Sequence, residues 1–312
     1  MDSRLKAYER RLDKRLNIKN RRGVIAIDVT ESLCVYEEQR DYTLNLMRNI
    51  SGYAVGRKIP VLISLEHCPS ITAGALLILF AEVSRARIVA EDDNIVKIKL
   101  PTKGSLKDTL DHIGWTKAIT ISFRDYPSLM EENCPFQTAS KPHEAMASIF
   151  NLLSSSGVTL TSPESKVFTK GVNEAILNVF NHAYSHEDYP LDGIGRRWWQ
   201  ACWRADDNSF VYIIFDLGQG ITNSLPKAYD NEPIDEHICR AMRLGVTCTG
   251  DSKRGKGSEN IKDATDIKDE STLFIGSRNA LYTKLSGETP LAGKCILPFN
   301  GTLAEWQINV GE

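Results

Sequence analysis

Glu174-Ala-Ile-Leu-Asn178-Val-Phe-Asn181-His182-Ala-Tyr184 holds two patterns at once. At about 100° per residue, Glu174, Asn178, Asn181 and His182 fall in one polar sector. Ile176, Leu177, Val179, Phe180 and Ala183 fill the opposite one. The segment is therefore predicted to be an amphipathic helix over 162–185, with Ser162-Pro163-Glu164 as its start. A helix that only covers a core needs no compact acid–amide cluster on its far side. That cluster is the first candidate site.

Downstream of it, strands are predicted near Trp198–Arg204 and Phe210–Asp216, then a helix over Pro233–Leu244 and a short helix after Gly257. Strands near 272–277, 281–284 and 302–310 follow. A helix over 142–154 stands upstream. Helices before and between antiparallel strands predict an α+β sandwich with one face of the sheet covered.

Residues 23–120 alternate instead. Strands are expected at 24–29, 60–65 and 95–100, and helices at 41–56, 71–86 and 106–113, the last stopping at Gly114. Polar residues with Pro127 and Pro135, and Pro142 just beyond, mark 121–140 as the connecting segment. The expected division is a basic amphipathic helix over 1–22, an α/β domain over 23–130 and a second domain over 140–312.

The whole chain agrees with two domains. Its 312 residues exceed what one ordinary core requires. With 42% hydrophobic and 25% charged residues, the composition is that of a soluble globular protein. Net charge is −2, so no overall field points to nucleic acid. No apolar run approaches a membrane span, and the N-terminus lacks an apolar signal core. Seven dispersed cysteines without a Cys-x-x-Cys pair read as reduced thiols, so the expected location is the cytoplasm. Residues 1–22 carry nine Lys/Arg against three Asp/Glu, with Leu5, Tyr8, Leu12 and Leu16 at helical spacing. This reads as a solvated helix lying on its own domain; a partner-docking arm is the alternative.

Two further motifs join the acid–amide helix. Asp216-Leu-Gly218-Gln-Gly220 directly follows an apolar strand, which delivers the carboxylate to the strand's end. The glycines permit a sharp turn and close approach of a ligand. Lys253-Arg254-Gly255-Lys256-Gly257 then precedes a helix start, where free N–H groups and three cations favour an anion.

In this order the three motifs resemble the GHKL ATPase superfamily, which includes gyrase, heat-shock chaperone, histidine kinase and mismatch-repair ATPases. The helix itself is most similar to the asparagine box of bacterial anti-sigma-factor serine kinases. The resemblance implies a Bergerat-type α/β sandwich over 140–312, with helices on one face of a mixed sheet and with ATP and Mg²⁺ as cofactors. It implies Glu174 as the general base, Asn178 as the metal ligand and Asp216 as acceptor of the adenine amino group. Gly218 and Gly220 would line base and sugar. Residues 221–256 would form a lid, with Lys253, Arg254, Gly255, Lys256 and Gly257 at its phosphate end. Thr302, after Gly301, would support the adenine through Asp216. Asn181 and His182 would touch phosphate or metal, or hold the helix to the lid. Ser258 departs from the family, which has an apolar residue there.

Residues 23–120 resemble a STAS domain, through Val61-Leu-Ile-Ser-Leu and Ser70-Ile-Thr72-Ala73-Gly74 leading into an apolar helix. Ile71 replaces that family's acid, and Ala73 occupies its acceptor position, so this is a docking or dimerising module. The joint expectation is a bacterial-type regulator. It is either an ATPase or a serine/threonine protein kinase, with a protein partner such as a regulator or STAS-type protein, or a second copy of itself. The alternative is an ATP-gated protein-binding switch with negligible turnover. A histidine autokinase is disfavoured, because Pro142-His143-Glu144 has Ser148 where that class has proline.

Overall fold

Alternation of buried and open positions organises the first sheet. The computed structural model describes residues 3–184, 193–205, 208–224, 232–243 and 257–310. By contact, the chain divides into Met1–Ser128 with Asp192–Ile194, and Leu129–Leu191 with Gly195–Glu312. It is a mixed α/β protein with one four-stranded and one seven-stranded sheet.

The first unit begins with α1 (Ser3–Arg15) and β1 (Lys19–Arg21), then β2 (Val24–Asp28), α2 (Arg40–Ile50), β3 (Val61–Ser64), α3 (Ala73–Ala90) and β4 (Val96–Lys99). Two short helices follow, α4 (Ser105–His112) and α5 (Trp115–Thr120). The strands β2, β3 and β4 pair in parallel, and β1 adds antiparallel at one edge. Ile25, Ile27, Val61, Ile63 and Val96 are buried on one face, while Leu62, Lys97 and Lys99 on the other are wholly or partly open to solvent. α3 is buried along most of its length, as expected of a helix that is apolar all round. Arg87 secures it: the guanidinium donates to the Ile119 carbonyl at 2.8 Å and to the Val96 carbonyl at 3.1 Å.

α1 lies on α2. Leu12 and Leu16 are buried, Tyr8 donates to Asp41, and Asp13 accepts from Asn45 and Asn49 at 2.9 and 3.0 Å. Glu9 pairs with Arg48. The helix's acids thus turn inward, and Lys6, Arg10 and Lys14 stay exposed.

The second unit opens within α6 (Ser128–Glu131). It contains β5 (Phe136–Ala139), α7 (Pro142–Ser155), α8 (Ser162–Asn178), a π turn (Val179–Ala183), β6 (Trp198–Arg204) and β7 (Ser209–Asp216). Next come α9 (Ile234–Ala241), α10 (Gly257–Asp263), β8 (Thr272–Ser277), β9 (Ala280–Leu285), β10 (Leu291–Lys294) and β11 (Thr302–Asn309). The sheet order is β10-β9-β8-β11-β7-β6-β5, and every pairing is antiparallel. The expectation of a mixed sheet is corrected here. The links between β6 and β7, and between β8 and β9, are a few residues long, and parallel neighbours need a crossover of a dozen or more. The proline-marked 121–140 also differs from a plain connection, since it contains α6 and the buried edge strand β5.

Phe210, Tyr212 and Ile214 of β7 and Trp306 and Ile308 of β11 share one core with Ile149 and Leu152 of α7, Phe168, Val172 and Ile176 of α8, Ile238 of α9 and Ile261 of α10. The four helices therefore cover one face. The opposite residues of β7, Val211, Ile213 and Phe215, are buried as well. Trp198 and Trp199 lie fully inside the sheet, and Trp203 stacks on Phe136 with centroids 5.4 Å apart. None of the described helices is long and apolar enough to cross a membrane.

Candidate functional site

The strand register carries Asp216 to a buried corner. Asp216 is opposite Thr302 of β11 on one side and Trp198 of β6 on the other, and Thr302 is opposite Ser277 of β8. The three polar side chains Asp216, Thr302 and Ser277 thus point from the ends of three adjacent strands toward the helix-covered face. Ser277 Oγ and Thr302 Oγ1 are 3.0 Å apart, and the Ile221 N–H donates to Ser277 Oγ at 2.8 Å. Asp216 is 4% exposed. Burial pushes its carboxyl up to about 7, against the lowering effect of backbone bonds from Gly218 and Thr302. A carboxyl held in such a place is poised between accepting and donating.

Glycines let the chain close around this corner. Gly301 has φ +121°, and a Cβ there would stand 1.9 Å from the Asp216 carbonyl oxygen. A Cβ on Gly218 would stand 2.4 Å from the Ala183 carbonyl oxygen. The turn after β7 is therefore pressed against the end of the α8 helix. Polar bonds fasten it. Gln219 N donates to the Ala183 carbonyl and Gln219 Nε2 to the His182 carbonyl, both at 2.8 Å. The Leu217 N–H donates to Tyr184 Oη at 3.0 Å, and that hydroxyl donates to the Arg197 carbonyl. Gly220, with φ +86°, lies under the Arg278 side chain.

α8 begins where the sequence placed it. The Thr161 N–H donates to Glu164 Oε2 at 2.7 Å, and Pro163 occupies the first turn. It does not run to 185 as an α-helix. It ends at Asn178 and widens into the π turn, a form that recurs at functional sites. The uniform 100° step assumed from the sequence fails past Asn178, so Asn181 and His182 are rotated from their expected sector. Asn178 and Asn181 are exposed, and His182 is half-buried. Among the described residues no side chain hydrogen-bonds the Asn178 carboxamide.

Glu174 lies one turn before Asn178, against α10. Asn260 Nδ2 donates to Glu174 Oε1 at 3.2 Å, and a Cβ on Gly257 would stand 2.9 Å from Glu174 Oε2. α10 reaches this close because Gly171 has no side chain: a Cβ there would stand 2.6 Å from the Asn260 carbonyl oxygen. Trp306 Nε1 donates to the Ile261 carbonyl at 3.0 Å and ties α10 to β11. Ser258 donates to the Arg243 carbonyl at 3.2 Å, so the departure at this position makes a polar contact.

The fold thus lines up Glu174, Asn178 and the Asp216 corner along one helix. From Glu174 to Asn178 the axis advances about 6 Å, and the π turn carries the chain on to Ala183. α10 lies at one end, the 217–220 turn at the other, and exposed Asn178 between them. Lys253, Arg254, Gly255 and Lys256 lie outside the described residues, as does most of 221–256 beyond Ser224. Gly257 is at Glu174 as described. Ser277, Asn260, Gln219 and Tyr184 were not expected. Ser277 depends on a strand register that no local pattern reveals. Asn260 is legible only as a polar residue on the buried side of a short helix.

An exposed asparagine offers a single hard oxygen to a cation. Mg²⁺ fits such a place when a ligand's phosphates and water complete its octahedron. No protein-family model matches the chain, and no curated protein matches it.

Proposed function

We propose that the second unit binds Mg-ATP along α8 and that Glu174 serves as general base, in hydrolysis or in transfer of the γ-phosphate to a protein serine or threonine. One observation carries this reading: a carboxylate held by α10 lies one turn before the end of α8, and a buried aspartate beside Thr302 lies past the π turn that follows it. Asp216 and its turn receive the adenine amino group. Asn178 holds the metal, which when bound neutralises phosphate charge. Glu174 orients the attacking water or hydroxyl and takes its proton, and phosphoryl transfer needs little more than such alignment.

The antiparallel sheet covered by helices on one face is consistent with the GHKL resemblance over 140–312. The parallel β2-β3-β4 core with α3 is consistent with the STAS resemblance over 23–130. On this reading the chain is a regulator with a protein partner or a second copy of itself.

The test is phosphate release or transfer from labelled ATP, with nucleotide binding measured in parallel. Glu174→Ala is expected to lose about a hundredfold or more in turnover while still binding ATP. Asn178→Ala is expected to lose magnesium-dependent binding. Binding without turnover in the unsubstituted protein would make it an ATP-gated switch instead. Unchanged Mg-ATP affinity in Asn178→Ala would remove the nucleotide assignment.

A further inference from the structure

Glu174 is engaged unevenly. Its Oε1 accepts from Asn260 Nδ2 at 3.2 Å, while its Oε2 faces the bare α-carbon of Gly257, where a Cβ would stand 2.9 Å away. Both partners lie on α10, three residues apart. Asn260 is 5% exposed, and its backbone carbonyl lies against Gly171. An apolar side chain would suit a purely structural contact there, because a buried amide costs about 1–3 kcal/mol unless its bonds are made. The amide instead gives a donor to a carboxylate that is only half-buried.

We infer that Asn260 is a positioning residue: it fixes the Glu174 carboxylate through one oxygen, and Gly257 leaves the other oxygen room to meet the nucleophile. This rests on Glu174 acting as general base, as proposed above. The step it serves is simple. A water oxygen bonds to the γ-phosphorus, the bond from that phosphorus to the β–γ bridging oxygen breaks, the water's proton passes to Glu174 Oε2, and ADP leaves. Because both contacts come from α10, the base is aimed only when that helix is seated on α8. A lone hydrogen bond holds a carboxylate against rotation about its last torsion, which is otherwise broad. Misaiming a reacting group by about 1 Å can cost about a hundredfold.

Two substitutions in the full chain test it. Asn260→Leu keeps the branched outline, with bulkier ends, and removes the donor. Gly257→Ala leaves Asn260 in place and crowds Oε2, and the atom it meets is the free end of a flexible side chain, so folding is little disturbed. Each is expected to lower kcat at saturating Mg-ATP about ten- to a hundredfold, while the Kd for Mg-ATP of Asn260→Leu stays within about twofold and the melting temperature of Gly257→Ala is unchanged. Asn260→Gln, which restores a donor, is expected to recover part of the lost kcat. A structural role would instead lower Mg-ATP affinity and turnover together. That result, or unchanged kcat in both variants, overturns the inference. So does an unsubstituted protein that binds Mg-ATP and never turns it over, since it has no base to aim. Failure of the nucleotide reading is seen separately, as absence of Mg-ATP binding by the unsubstituted chain.

Discussion

Asp216 is the residue at which burial and chemistry oppose each other most directly. Its carboxyl, ordinarily near 3.8, is pushed up to about 7, first by burial. The folded chain therefore binds this proton more tightly than the unfolded chain does. The stability it contributes is fully present below about pH 4 and is lost as pH rises toward 7. A shift of about three units corresponds to about 4 kcal/mol. Asp216→Asn keeps the shape and an oxygen able to accept from Gly218 and Thr302, but it carries no charge at any pH. Between about pH 4 and 8 the unsubstituted protein should lose about 4 kcal/mol relative to this variant, measured by denaturant unfolding. Parallel pH profiles would mean that the carboxyl ionises without penalty in its corner. Glu174 and Asn178 were legible in the sequence, because acid and amide spacing on a helix is local. The surroundings of Asp216 were not, because Thr302 and Ser277 reach it only through the pairing of β7, β11 and β8.

Elements followed the same division between local and distant causes. β6 spans the residues its aromatic run predicted, and the Ser162-Pro163-Glu164 start of α8 holds. The π turn was invisible, because it is defined where the 217–220 turn is fastened to the helix end. β1, β5 and β10 were also missed: three or four residues long, they form only as edge or outer additions to strands already in place. If that fastening shapes the site, Gly218→Ala should act on both stability and binding. Its Cβ would meet the Ala183 carbonyl oxygen at 2.4 Å and the Ala183 Cβ at 2.5 Å, and both belong to backbone or to a side chain with no freedom to move. Overpacking of this kind costs about 1–3 kcal/mol. Mg-ATP affinity should fall with it as the turn is pushed from the helix. Gly293→Ala, in open space on β10, is the control, expected within about 0.5 kcal/mol of the unsubstituted protein. Equal stability and affinity in the two variants would show that the turn and helix end are not mechanically joined.

At the scale of the whole molecule, charge and core are separately distributed. The basic N-terminal segment turns Glu9 and Asp13 to α2, leaves Lys6, Arg10 and Lys14 in water and pairs Arg15 with Glu31, so a chain of net charge −2 carries a strongly basic end without burying an unpaired cation there. Each unit has its own sheet and its own buried apolar side chains. Tryptophan is unevenly divided between them. Trp198, Trp199, Trp203 and Trp306 belong to the unit with α8, and Trp115 to the other, so intrinsic fluorescence mainly follows the unit that holds the candidate site. A ligand that binds only the folded form stabilises it by mass action, by about 2.7 kcal/mol at a hundred times its Kd. Thermal unfolding followed by tryptophan fluorescence should therefore move upward with Mg-ATP at that excess. It should move little with ATP in chelator, since Asn178 is given the metal to hold. In Asn178→Ala the transition should stay in place under both conditions. An unsubstituted protein whose fluorescence transition ignores Mg-ATP at millimolar concentration would leave the line from Glu174 to Asp216 as a feature of packing alone.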